Sequence, residues 1–219
     1  MDKKSYTCMN TFTLKMIAII CMVIDHVGFL FFPNEIIFRK IGRIAFPIFC
    51  FLIVEGFHHT KSQLSYLGRL LLFAILSEIP FDLAFYGTMA DFQHQNVFIT
   101  LALGLLSIFC LEERNIKPIY TLPLILIWVI AYFCHCDYGL GGVLLICVFY
   151  FTRETPWVRL FLCGLLLYLF FGQLELYALI AMVPITLYNG KKGPSVQLFF
   201  YFFYPLHLLV LYALKYYVF

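Results

Sequence analysis

Charge is what this chain is short of. Only 12% of its 219 residues are Asp, Glu, Lys or Arg, while 63% are hydrophobic and the mean hydropathy is +0.92. A soluble domain of this length cannot hide so much apolar surface in one core, so lipid is the expected solvent. The sequence also lacks a glycine-rich phosphate loop, a zinc-protease helix and a nucleophile elbow, which removes the usual soluble-enzyme templates. It lacks internal repeats and low-complexity segments, and residues 1–219 read as a single domain. No small-residue cleavage site follows the first apolar run, which Asp25 and His26 interrupt, so that run reads as a retained span. The net charge of +3 is spread through loops, and nucleic acid is not expected as a partner.

In hydrocarbon every backbone N–H and C=O must be satisfied within the protein, which leaves helices or a closed barrel. Runs such as Leu14 to Phe32 and Leu67 to Ile79 are nearly continuously apolar, without the alternation of a barrel strand. The expected fold class is therefore all-α: a polytopic integral membrane bundle. Apolar segments fall at 14–32, 44–57, 64–86, 97–111, 119–134, 139–151, 158–171, 175–188 and 196–218, giving about nine transmembrane or partly spanning helices. Breakers lie between them: Pro33 with Asn34, Gly87, Pro118, Gly139 to Gly142, Pro156, Gly172, and Asn189 to Pro194.

Lys and Arg collect in cytoplasmic loops. With the N-terminus inside, the inner connections carry Lys61, Arg114 with Lys117, Arg153 with Arg159, and Lys191 with Lys192. The outer ones carry Asp91, Asp137 and Glu175. The exception is Arg39, Lys40 and Arg43 between the first two spans, which reads either as an interfacial or re-entrant segment or as Arg43 facing a polar cavity. The expected location is a plasma or inner membrane, crossed several times.

Ionisable groups inside apolar spans are costly and therefore candidates for function. Asp25 and His26 lie in the first span, and imidazole can take a proton near neutral pH while a carboxylate fixes its tautomer. His26 is the expected general base and Asp25 its orienting partner. Lys15 lies eleven positions earlier, on the same helical face about 16 Å away, which suits an extended donor with its charged head at the cytoplasmic entrance and its reactive end inside. Arg39 and Lys40 are grouped with Lys15 as candidates for that head. Glu55 with His58 and His59 reads as a hydrogen-bonded helix end rather than a metal site. Glu78 and Asp82 stand one turn apart around Pro80, a kink that can turn both inward, where one can bind an amine or Arg43. Asn96, Thr100, Tyr138, Tyr204 and His207 complete the candidate cavity. Of the eight cysteines, Cys134 and Cys136 flank His135, but their spacing makes a strained disulfide and further metal ligands are not evident; no metal is expected.

Several polar-containing blocks resemble the TraX family of membrane proteins: LKMIAIICMVIDHVGFLFFP at 14–33, RKIGRIAFPIFCFLIVEGFHHTKS at 39–62, YLGRLLLFAILSEIPFDLAF at 66–85, NVFITLALGLL at 96–106, DYGLGGVLLI at 137–146, and ALIAMVPITLYNGKKG at 178–193 followed by FFYFFYPLHLLVLY. The resemblance implies an acetyltransferase, since the family's namesake is associated with N-terminal acetylation of conjugative pilin from acetyl-CoA. Lys15 and His26 are also similar to the basic residue and His in the first span of membrane acyltransferases that O-acetylate surface sugars, where the basic position is usually Arg. On that likeness His26 is the catalytic base, and Arg43 lies beside the active cavity and offsets the developing oxyanion. The expectation is acetyl transfer from cytoplasmic acetyl-CoA to a protein N-terminus, another amine or a glycan at the outer face. The rival is a non-enzymatic carrier or a pilus or envelope assembly factor.

Overall fold

The computed structural model, described over residues 7–91, 93–194 and 196–217, is all-helical. Ten α-helices follow one another: α1 Thr11–Phe31, α2 Ile36–Gly42, α3 Ala45–His59, α4 Gln63–Tyr86, α5 Val97–Arg114, α6 Thr121–Phe133, α7 Gly139–Phe151, α8 Pro156–Phe171, α9 Met182–Thr186 and α10 Gln197–Tyr217. Two 3-10 helices, Pro118–Tyr120 and Gln173–Ala181, precede α6 and α9. Residue 218, the end of the last expected segment, lies outside the described residues.

The helix limits have local causes. Asn10 caps α1 by accepting from the Thr13 backbone N–H at 2.9 Å, Ser62 caps α4 through Ser65 at 3.2 Å, and Asn96 caps α5 through Phe98 at 3.0 Å. Gly87 ends α4 at a φ of +70°, where an L side chain is strained. Two expectations change. The basic segment after the first span forms the short helix α2, folded back on α1. The segment expected at 175–188 is a 3-10 stretch running into α9 rather than one α-helix, with Pro184 inside it.

Successive helices run to and fro between two ends. One end, here called basal, gathers the start of α1, the α3–α4 turn and the loop before α10: Met9 accepts from Asn189 N–H at 2.8 Å and Thr11 N–H donates to the Lys191 carbonyl at 2.9 Å. The distal end gathers α2 and the α4–α5 and α6–α7 loops, where Asp137 N–H donates to the Gln95 carbonyl at 2.8 Å. Between them lies a packed core including Leu14, Ala18, Phe46, Ile48, Ile108, Leu145 and Leu208. Glycines let α2 approach α1: a Cβ on Gly28 would overlap Phe38, and one on Gly42 the Asp25 side chain.

The outward faces are apolar. Leu72, Ile75 and Ile79 of α4, Leu122, Leu126 and Phe133 of α6, and Phe161 and Leu169 of α8 are all exposed. Among the described residues two helices, Thr11–Phe31 and Leu198–Tyr217, are long and apolar enough to cross a membrane.

Candidate functional site

Neighbouring residues on a helix point about 100° apart, and this separates Asp25 from His26. His26 turns toward α10, where its Nδ1 lies 2.8 Å from Nε2 of His207. The two ring centroids are 5.1 Å apart and the planes within 8° of each other. With the nitrogens so close and the centroids so far apart, the rings meet edge to edge in nearly one plane, the arrangement of an N–H···N hydrogen bond rather than a face stack. His207 Nδ1 is 3.0 Å from the Phe203 carbonyl one turn back. Phe85 packs edge-on against His26 at 5.2 Å, and Tyr204 stands 6.4 Å away.

Asp25 instead turns toward α2. Arg39 donates to it at 2.7 Å and Arg43 at 3.2 Å. Arg43, buried, also donates to Glu175 at 2.7 Å and to the Tyr138 hydroxyl at 3.3 Å, while its Nε–H reaches the Arg39 carbonyl at 3.4 Å. Each of the three guanidinium nitrogens thus has a partner. Tyr138 is held in a left-handed backbone conformation, φ +63°, with its ring flat on Phe46 at 3.7 Å. A conformation that costs about 1–3 kcal/mol is maintained there by the packing around it. This distal knot joins α1, α2, the 3-10 stretch before α9 and the α6–α7 loop.

Asp137, in that same loop, is open to solvent but hemmed in by protein. Desolvation pushes its carboxyl up to about 6; Arg43 and Arg39 oppose the rise, and Asp25 and Glu175 add to it.

A cavity of about 430 Å³ opens at the basal end. Its wall on α1 includes Lys15, Ile19 and Met22, and its wall on α10 is Phe200, Tyr201 and Tyr204. Both stripes follow helical spacing, and one further turn brings the first to His26 and the second to His207. The mouth carries Lys15, Arg69 and Lys192. None of these cations pairs with a carboxylate among the described residues. Lys15 lies over the Phe200 ring at 4.9 Å and Arg69 over Tyr66 at 5.7 Å, and the buried Arg69 Nε–H meets no acceptor among the described residues.

The other sequence candidates scatter. Arg39 and Lys40 do not share the mouth with Lys15: Arg39 is bound to Asp25, and Lys40 lies over Tyr177 at 4.7 Å. Glu55 lines the basal cavity but is held by Arg153 at 3.1 Å, and His59 Nδ1 lies 2.8 Å from the Glu55 carbonyl. Glu78 accepts from the Asn96 side chain, which also donates to the Ala74 carbonyl at 2.8 Å, so Asn96 ties α4 to α5. Asp82 accepts from the Asp91 backbone at 2.9 Å. Neither carboxylate meets Arg43. Thr100 donates to the Asp137 carbonyl. Cys134 and Cys136 are free thiols, and no group of three His, Cys, Asp or Glu side chains suited to a metal forms among the described residues. Sequence reasoning missed Arg69, although an arginine inside the run LGRLLLF carries the same cost signal that singled out His26.

Comparison with known proteins adds relatives to this geometry. The chain is 30% identical over 236 residues to the probable fimbrial assembly protein FimC, serogroup H1, of Dichelobacter nodosus, covering 94% of this chain and 96% of that protein. It is 28% identical over 155 residues to the uncharacterized protein RP591 of Rickettsia prowazekii (strain Madrid E), covering 68% of this chain and 58% of that one. No solved structure matches. The family model for the TraX protein matches residues 11–215, nearly the whole chain, and the protein belongs to the TraX family.

Proposed function

We propose that this chain is a multi-pass membrane protein serving the assembly of surface fibres or the cell envelope, and that its chemical contribution is acyl transfer. The assembly role is supported by the fimbrial relative, which matches over nearly its full length. The membrane reading is supported by outward apolar faces that lipid would cover, and by the basal gathering of Lys61, Arg114, Lys117, Arg153, Lys191 and Lys192. That end is the cytoplasmic one in this reading, and the N-terminus with it.

The acyl-transfer reading rests on one observation: a cavity with three unpaired cations at its mouth climbs along α1 and α10 to Met22 and Tyr204, one helical turn short of a histidine pair. Cations without carboxylate partners are placed for an anionic ligand, and apolar walls suit a thin uncharged arm. Acetyl-CoA has that shape, with phosphates at one end and a thioester at the other. His26 takes the proton of an acceptor amine or hydroxyl as the acceptor attacks the thioester carbonyl; the carbon–sulfur bond then breaks and the departing thiolate receives that proton. Lys15, Arg69 and Lys192 hold phosphates, and the distal knot holds α1 in place.

The test is coenzyme A release by protein in nanodiscs, with and without a cell-envelope extract. Release that depends on the extract and is lost in His26→Ala, with the variant still folded and inserted, is the expected result. Release unaffected by His26→Ala removes His26 from the mechanism, and no release at all leaves a non-catalytic assembly factor.

A further inference from the structure

The hydrogen bonds around the histidine pair leave one self-consistent arrangement of protons when both rings are neutral. The Phe203 carbonyl is only an acceptor, so the His207 Nδ1 that faces it at 3.0 Å carries the hydrogen. A neutral imidazole has one N–H, so His207 Nε2 is a bare lone pair. That lone pair faces His26 Nδ1 at 2.8 Å, and the contact is a hydrogen bond only if His26 Nδ1 carries its hydrogen. The remaining nitrogen of His26, Nε2, is then free to accept a proton. Building on the acyl-transfer reading, we infer that His207 is the positioning residue of the site: it fixes the tautomer and ring plane of His26 and so makes Nε2 the reacting nitrogen.

Asp25 is poorly placed for this task. Its two oxygens accept from Arg39 and Arg43, and it points away from the His26 ring toward α2. His207 performs it through a chain that runs back into its own helix, so α10 sets the ring plane of α1's histidine. The chain also serves the protonated state. When His26 Nε2 takes a proton, Nδ1–H still donates to His207 Nε2, and no bond has to be remade as the charge appears. Both rings cannot be charged together, because two N–H groups would then meet across the 2.8 Å contact.

The test uses full-length protein in nanodiscs with ¹⁵N-labelled histidine, its ring signals assigned by His26→Gln and His207→Gln. At neutral pH the wild type is expected to show His26 protonated at Nδ1 and bare at Nε2, and His207 likewise. His207→Leu is expected to let His26 populate both tautomers. In turnover, His207→Leu is expected to lower kcat about 100-fold, with KM for acetyl-CoA changed less than about 2-fold. His207→Gln, whose amide oxygen can accept the Nδ1–H, is expected to recover most of that loss. A wild-type His26 protonated at Nε2, or an unchanged tautomer in His207→Leu, overturns the inference even if acetyl transfer is found. If no transfer is found, the spectra still decide the tautomer, and only the acyl-transfer reading falls.

Discussion

The two polar regions of this molecule differ in whether their charges have partners. In the distal knot Asp25, Arg39, Arg43 and Glu175 are interlocked by contacts of 2.7–3.2 Å. At the basal mouth Lys15, Arg69 and Lys192 share a cavity without a carboxylate partner among the described residues. Charges that are paired across elements hold those elements together, and removing one strands its partners. Charges that line a cavity unpaired contribute little to folding and are available to a ligand. The same residue types therefore do opposite work at the two ends.

The largest expected effect is at Arg43. Arg43→Met leaves Asp25 and Glu175 short of their shared cation and is expected to cost about 3–5 kcal/mol, read from thermal unfolding in detergent. Arg69→Met, an equal change at the other end, removes a buried N–H that has no acceptor among the described residues and is expected to cost no stability. Equal losses would dissolve the distinction. A smaller effect on the knot is expected from Gly42→Val, whose side chain would overlap Asp25 and push α2 off α1, at about 1–3 kcal/mol. The basal region is sharpened by Lys15→Gln and Arg69→Gln, each expected to weaken acetyl-CoA binding about 10-fold, the worth of one charge-assisted hydrogen bond, with the unfolding temperature unchanged.

The smallest effect lies at Asp137. An acid whose pKa is higher in the folded protein loses folding stability as pH rises from its usual value, 3.8, through its folded value of about 6. Solvent reaching the carboxyl screens this, so from pH 4 to pH 7 the wild type is expected to lose only about 1–2 °C in Tm relative to Asp137→Asn. Parallel curves for the two proteins would show that Asp137 titrates normally.

Most of the helical layout was legible because the apolar runs are long and their breakers sharp. Gly87 and Gly172 end α4 and α8 at positive φ, and Pro156 opens α8 at its first turn, where its missing N–H costs nothing. The short helix α2 was not legible, since seven residues with two cations look alike whether they lie at an interface or fold back on a neighbour. His26 stood out because burying an ionisable group is expensive. Its partner did not: adjacency in sequence pointed to Asp25, whereas helical rotation sends Asp25 to α2 and His26 to a residue 181 positions away. Arg43 was legible as a buried cation, but its committed N–H groups are visible only once Glu175 and Tyr138 are brought to it by the fold.

The account stands on the basal cavity as a site for a polyanionic thioester. Calorimetric titration of acetyl-CoA into the protein in nanodiscs, repeated at higher salt, with the Lys15→Gln plus Arg69→Gln variant and with a phosphate-free acetyl thioester of pantetheine, tests this directly. Saturable binding that weakens with salt, falls about 100-fold in the double variant and is nearly absent for the phosphate-free thioester is the predicted result. No binding of acetyl-CoA, or equal affinity for the two thioesters, would contradict it.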